Sequence, residues 1–444
     1  MVKKDFSKFS FLHLLFIFSI ILTSCKDKSC EIEKKELEKT CISIDWKEGL
    51  NKDNQAIKLP VYMDYQATTQ IDPRVLEEMY YVEKNFYGNA NSLHKLGKDA
   101  EKLVQKARKQ VADVIKAKPN EIIFTSGATE SNNLAIKGMV ETYGKKTGKK
   151  HIITSMTEHA CILESCKNVE KNEDIEITYL CPKEDGLIDL DELEKAIQPN
   201  TLMISIMGVN NEIGVIQDLE KIGKIAKKHN VFFHTDCAQA FGKIPLDVDK
   251  MGIDLMSISG HKIYGPKGIG ALFIRQHGKK KIDLKPQMNG GGQEKGIRSG
   301  TLAVPLIVGL GKASEIMKQD FEKDSKHINQ LSEKLKNELK KIEGSKLNGS
   351  EKQRYNGNLN FSFKGVGALE LVQSLGDKVA LSIGSACGSS HEATDSYVIK
   401  SIGVDTKISG GAIRIGIGRF TTEKEVDYAI NEIKREVERQ RGKK

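Results

Sequence analysis

A chain of 444 residues is long enough for two domains with ample core. Hydrophobic residues at 39% against charged residues at 29% give the balance of a soluble globular protein, which excludes a disordered or fibrous chain. The 69 basic and 60 acidic side chains leave a formal charge of +9, spread through Lys/Glu-mixed stretches; without basic clusters and interleaved aromatics, no nucleic-acid partner is expected.

The first 25 residues stand apart: Lys3, Lys4 and Lys8 precede an apolar run from Phe9 to Leu22 that ends in Leu22-Thr23-Ser24-Cys25. A basic start and an apolar run too short to span a bilayer comfortably read as a secretory signal. The ending resembles a bacterial lipoprotein box, in which Cys25 is lipidated. An uncleaved membrane anchor and an organelle transit peptide are the alternatives, although transit peptides are usually Arg-rich and the first arginine here is Arg74. Residues 26–60 are rich in Lys and Glu and poor in apolar residues, as in a solvated linker or loose helix, so ordered structure is expected from about Pro60.

Beyond it, Ala100, Leu103, Val104, Ala107, Val111 and Val114 mark one face of a helix, which Pro119-Asn120 is expected to close. Apolar strands are predicted at Ile122–Phe124, His151–Thr154, Ile175–Leu180, Leu202–Met207, Val231–His234, Leu255–Ile258 and Ile269–Ile274. Helical patterns such as Leu219, Ile222, Ile225 and Ala226 lie between most of them, which implies an α/β fold with a mostly parallel sheet covered on both faces. The texture changes near Lys318. One long amphipathic helix carries Ile328, Leu331, Leu335, Leu339 and Ile342, and short strands and helices follow. The last helix opens on a capping box, Thr422 with Glu425, and has an apolar face of Val426, Ile430, Ile433 and Val437. The expected division is a signal-like segment at 1–25, a linker at 26–60, a large domain at 76–320, and a smaller α+β domain from 61–75 and 321–444.

Several loops at the carboxyl ends of these strands carry chemistry, where open α/β sheets bind ligands. Ser259-Gly260-His261-Lys262 pins a lysine in a tight loop between two buried strands, and a desolvated lysine amine beside a carbonyl compound forms a Schiff base. Thr125-Ser126-Gly127-Ala128-Thr129-Glu130-Ser131 reads either as a phosphate cradle at a helix start or as a plain helix cap. Asp236 ends a strand, placed to pair with a protonated ring nitrogen, and Gln239 follows as a donor to a phenolate-type oxygen. His159 offers a flat imidazole for stacking on a planar cofactor, against the plainer role of a structural histidine. Asn210-Asn211-Glu212 sits in the corresponding position after another strand. The combination fits pyridoxal phosphate (PLP).

The eight cysteines, at 25, 30, 41, 161, 166, 181, 237 and 387, form neither CxxC pairs nor a zinc pattern, so no metal site is expected and most should be small buried hydrophobes. Cys387 differs: Gly384, Ser385, Ala386, Gly388, Ser389 and Ser390 around it suit an accessible, nucleophilic thiol.

Long motifs complete the picture: Met63 to Thr69, Thr125 to Ser131, Val209 to Gly214, Ser257 to Gly270, Gly290 to Glu294, Arg298 to Thr301 and Gly384 to Cys387. From Tyr62 to the last helix the chain resembles the cysteine desulfurases of housekeeping iron–sulfur assembly, in the class V aminotransferase group. The resemblance implies the type I fold of PLP-dependent transferases and a homodimer. By the same resemblance Lys262 carries PLP, His159 stacks on its ring and shuttles protons, and Asp236 and Gln239 hold the ring. Ala128, Thr129, Ser259 and His261 bind the phosphate, with Thr301 reaching over from the partner subunit; Asn211 contacts cofactor or substrate. Arg414 grips the substrate carboxylate, whereas its sequence context alone reads as an exposed strand residue. Cys387 takes sulfur from L-cysteine as a persulfide, releasing alanine. The alternatives are a selenocysteine lyase or related PLP enzyme, and a non-catalytic sulfur-relay protein. The acceptor implied is an iron–sulfur scaffold or another sulfur acceptor; the chain stops at Lys444, short of the tail by which relatives dock that scaffold, which counts against scaffold docking. Relatives are cytoplasmic or mitochondrial, in tension with the signal-like start.

Overall fold

Alternating apolar strands and amphipathic helices close into a central sheet in the computed structural model, which describes residues 48–50, 56–278, 281–384, 396–405 and 410–442. The expectations for residues 1–25, Cys25 included, and for Cys387 fall outside the described residues. Within the stretch read as a linker, strands β1 (Glu48–Leu50) and β2 (Ala56–Lys58) pair antiparallel, so regular structure starts before Pro60. Ile57 is buried in the same core as Val61 and Met63; three-residue strands are too short to show a periodicity. Strand β3 (Val61–Tyr62) follows.

Helix α1 (Pro73–Asn85) begins with Asp72 accepting a hydrogen bond from the Arg74 N–H and with proline in its first turn, where a missing N–H is harmless. Helix α2 (Lys95–Val114) buries Ala100, Val104, Ala107 and Val111, the stripe expected of it. It stops at Val114, before the proline, and Lys116 already has a left-handed backbone (φ 57°). Pro119 instead opens a separate short turn, Pro119–Glu121.

The sheet is built from β4 (Ile122–Thr125), β5 (His151–Ser155), β6 (Glu176–Leu180), β7 (Thr201–Ser205), β8 (Phe232–Asp236), β9 (Leu255–Ser259) and β10 (Gly270–Ile274). Their spatial order is β4-β10-β9-β8-β7-β5-β6, with β10 antiparallel to both neighbours and β5 to β9 parallel. Side chains alternate between two cores. Phe124, Ile153, Ile204 and Phe233 face one, while Ile123, Ile152 and Met203 face the other. Burial on both faces is why these strands read as unbroken apolar runs. Helices α3 (Ala128–Met139), α4 (Ala160–Glu173), α5 (Leu190–Lys195) and α6 (Leu219–Lys228) connect them. At the sheet edge, the Phe124 N–H donates to Glu294 Oε2 (2.7 Å), and Glu294 is gripped in turn by Arg108 Nη2 (2.6 Å). A buried ion pair thus satisfies an edge-strand donor directly before the loop Thr125–Ser131.

Helix α7 (Val304–Gln319) packs along α1 and α2, and α8 (Phe321–Lys340) is the long amphipathic helix foreseen from Ile328 to Ile342, except that it ends at Lys340 and leaves Ile342 beyond it. Strands β11 (Ser345–Leu347) and β12 (Asn358–Phe363), helix α9 (Ala368–Leu375), strand β13 (Val379–Ala380), helix α10 (Tyr397–Ser401), strand β14 (Ile413–Gly416) and helix α11 (Glu423–Gly442) complete the chain. Here β11-β12-β14 form an antiparallel sheet, and β13 pairs in parallel with β3. A core of its own unites Leu331, Leu335, Phe361, Phe363, Ile413, Ile430 and Ile433. The capping box is present: the Thr422 N–H donates to Glu425 Oε2 (2.7 Å) and the Glu425 N–H to Thr422 Oγ1 (3.3 Å). Among the described residues no helix is long and apolar enough to cross a membrane.

Candidate active site

The strand ends and the segment after β3 enclose a cleft of about 490 Å³. It is lined by Lys262, His159, Ala128, Thr129, Asn211, Asp236, Gln239, Ser259, His261 and Arg414, residues drawn from strand ends, helix starts and loops far apart in the chain. Of the candidates named from sequence, Thr301 is exposed and lies off this cleft, and Cys387 is outside the described residues.

Lys262 ends a single turn, Gly260–Lys262, directly after β9. Gly260 permits that turn, since a Cβ there would come within 2.9 Å of Ile269 Cγ2 and 3.0 Å of the Pro266 carbonyl. Lys262 Nζ donates to the carbonyls of Gln66 (2.6 Å) and Ala67 (2.7 Å). The amine is therefore held at one point rather than free to sweep the solvent.

Asp236, at the end of β8, accepts from the Ala238 N–H (2.8 Å) and from Asn132 Nδ2 (2.7 Å). Asn132 lies one turn into α3 and also reaches Cys161 Sγ (3.1 Å). That sulfur is 3.0 Å from His159 Nδ1, which accepts the Cys161 N–H (3.2 Å) and so caps α4. With Nδ1 accepting, the neutral ring carries its proton at Nε2. Gln239 donates through Nε2 to the Gln66 carbonyl (2.8 Å).

At the start of α3, Gly127 takes a backbone (φ 154°) open to glycine and provides no side-chain cap. The start of the helix, at Ala128 and Thr129, therefore keeps its first N–H groups uncapped on the cleft wall that Ser259 and His261 also line, an arrangement suited to an anion. His261 Nδ1 lies 3.0 Å from Thr68 Oγ1. Burial, with help from Lys262 and Lys267, pushes the His261 imidazole down to about 3, so it lines the cleft as a neutral hydrogen-bonding group. Arg414, far from an exposed strand residue, is 1% exposed. Its Nη2 donates to Asp64 Oδ1 (2.9 Å) and Ser382 Oγ (2.8 Å), its Nη1 to the Asn211 carbonyl (3.1 Å), and its buried Nε has no hydrogen-bond partner among the described residues.

The donor set fits PLP. A held amine suits the aldehyde, a doubly anchored carboxylate suits the pyridinium, and an uncapped helix start suits the phosphate. Asn211 Oδ1 and Asn132 Oδ1 are buried without hydrogen-bond partners among the described residues, as expected of a site shaped around a polar group.

Sequence reasoning missed Gln66, Asn132, Asp64 and Cys161. Cys166 and Cys237 are buried as expected, but Cys161 is only half-buried on the cleft wall and Cys181 is exposed. Helical register was the available signal for Asn132, four residues after Ala128 on α3. Nothing local marks Gln66, whose contribution is a backbone carbonyl.

A pH dependence of stability follows. His234, between Ser205 Oγ (2.8 Å) and Ser257 Oγ (3.1 Å), is pushed by burial down to about 3, like His261. Both titrate near ~6.5 in the unfolded chain, so their share of stability is complete above that pH and is lost as pH falls from there toward 3. Each is expected to remove about 1.4 kcal/mol per pH unit within that window. Calorimetric melting between pH 7 and pH 4 checks this, with His234→Gln flattening the slope; a midpoint independent of pH refutes it.

Residues 61–429 match the family described as Aminotransferase class-V. "Cysteine desulfurase IscS" of Rickettsia prowazekii is 54% identical over 386 residues, covering 86% of this chain and 92% of that protein. "Cysteine desulfurase, mitochondrial" of Eremothecium gossypii is 53% identical over 380 residues, covering 85% of this chain and 76% of that one. Among solved structures, a "NIFS-LIKE PROTEIN" superposes with a TM-score of 0.78 at 37% identity, covering 85% of this chain and 98% of its own. "SspA in complex with cysteine" gives 0.71 at 39% identity over 81% and 99%. With the type I fold, the lysine-centred cleft and these relatives together, the chain belongs to the class V aminotransferase family, in its cysteine desulfurase branch.

Proposed function

We infer that the protein is a PLP-dependent cysteine desulfurase. It converts L-cysteine to L-alanine and hands the sulfur, as a persulfide on Cys387, to an iron–sulfur scaffold or another acceptor. The observation that carries this is the meeting of a held Lys262 amine, Asp236, an uncapped helix start and buried Arg414 in one cleft, in a chain 54% identical to a named cysteine desulfurase.

PLP, when bound, supplies an aldehyde for amine chemistry and an electron-withdrawing ring. Lys262 would hold it covalently, with Asp236 for the ring nitrogen, Gln239 for the ring oxygen and His159 for the ring face. Ala128, Thr129, Ser259 and His261 would hold the phosphate, and Asn211 would contact cofactor or substrate. Arg414, on the cleft wall, binds the substrate carboxylate, while Asp64 holds the guanidinium in place. Lys262 Nζ takes and returns the α-proton of the substrate, and His159 Nε2 carries a second proton. The Cys387 thiolate attacks the substrate sulfur: an S–S bond forms, the C–S bond breaks, and the carbon left behind is protonated to give alanine.

Residues 76–320 serve as the large domain, and 61–75 with 321–444 as the small domain that carries Cys387. A homodimer is supported by exposed Leu76, Tyr80 and Tyr81 on α1 and by Tyr87 and Leu93 after it, apolar surface suited to a partner. In that dimer exposed Thr301 serves the neighbouring site. Residues 1–25 act as an addressing or anchoring segment.

The test is direct. Apoprotein given PLP should turn yellow and form one alanine for each cysteine consumed, with the sulfur recovered as sulfide under a thiol reductant. Colourless protein, or none of the alanine, refutes the reading.

A further inference from the structure

Behind the cleft wall lies a lysine that the mechanism does not use. Lys243 is buried, and its Nζ donates to Gln239 Oε1 at 2.9 Å while lying 5.4 Å from the centre of the Tyr355 ring. Among the described residues it has no carboxylate partner. Asp324 lines the same small cavity but is paired with Arg419 (2.6 Å). Burial, then Lys262 and Arg414, lowers its amine to about 7. Such a group adds nothing to stability, because a buried cation without a counter-charge is replaced by an apolar side chain at no loss.

Its contact with Gln239 gives it another use. A carboxamide has two nearly identical ends, one accepting and one donating, and only its neighbours decide which faces where. Below about pH 7 Lys243 is an ammonium group, which has donors alone and meets only the oxygen end. That leaves Gln239 Nε2 turned toward the Gln66 carbonyl (2.8 Å), the same carbonyl that receives Lys262 Nζ (2.6 Å). Lys243, Gln239, the Gln66 carbonyl and Lys262 thus form one continuous hydrogen-bonded chain from the cavity to the cleft.

We propose that Lys243 is a positioning residue for the cofactor: it locks the Gln239 carboxamide with its N–H groups toward the ring oxygen. The proposal rests on the functional reading above, in which Gln239 faces that oxygen.

The experiment titrates full-length apoprotein with PLP and records the visible spectrum of the holoprotein. Lys243→Met and Lys243→Leu are made in parallel, so that one poorly folding variant does not decide the result. Both are expected to melt no lower than the parent as apoproteins, to need about tenfold more PLP for half-saturation, and to shift the visible band. Lys243→Arg, for which the adjoining cavity of about 180 Å³ leaves room, should restore affinity and band position because it keeps the donor. In a Gln239→Ala background, Lys243→Met should have no further effect, since the lysine acts through that carboxamide. Unchanged affinity and spectrum in the apolar variants overturn the proposal, as does an effect that persists at full size without Gln239. Parent apoprotein that takes up no PLP overturns the functional reading itself, and the proposal with it.

Discussion

Lys262→Ala should abolish alanine formation, with turnover falling by more than about 10⁴-fold, the upper end of what one positioned acid–base group contributes. The side chain has two duties in the proposed reaction, holding PLP and moving the α-proton, and alanine performs neither. The loss should come with little unfolding: what remains in the folded chain is two carbonyls, of Gln66 and Ala67, on the wall of a cleft that water enters. The measurement pairs an alanine assay with a melting curve and the visible spectrum after PLP addition. A variant that stays yellow through a lysine-linked cofactor and turns over cysteine would place the chemistry elsewhere. A sulfur-relay protein without turnover would show no difference between parent and variant.

Cys387→Ser should separate the remaining enzyme readings. A serine hydroxyl is almost wholly protonated at neutral pH, whereas a thiol supplies a few per cent of a much better nucleophile. Alanine formation from L-cysteine should therefore fall on the order of 10³-fold or more. PLP binding should be unchanged, because the cofactor-facing candidates of the cleft come from other loops. A selenocysteine lyase would keep activity on selenocysteine in the same variant. Retained desulfuration of cysteine would remove Cys387 from the mechanism.

Legibility from sequence followed the range of the forces involved. The seven strands of the central sheet were visible because burial on both faces demands unbroken apolar runs, as in Leu255–Ser259. The last helix was visible through its capping box and stripe. The strand pair Glu48–Leu50 and Ala56–Lys58 was not, because three residues carry no measurable period and their pairing is decided by a partner strand. Lys262, Asp236 and the Thr125–Ser131 loop stood out because each sits at a strand end, where the local pattern itself marks a ligand position.

What the amino-acid order by itself determined was the set of reactive groups and the elements that carry them, since side-chain chemistry and periodicity are local properties. Only the tertiary structure decided which groups meet. Arg414 passed for an exposed strand residue until packing buried it against Asp64, 350 positions earlier. Cys161 passed for an inert filler until its sulfur came to bridge His159 and Asn132. Gln66 has no signature at all, because it acts through a backbone carbonyl that every residue possesses. Long-range hydrogen bonds and burial depend on the approach of distant segments, and no window of sequence contains both partners.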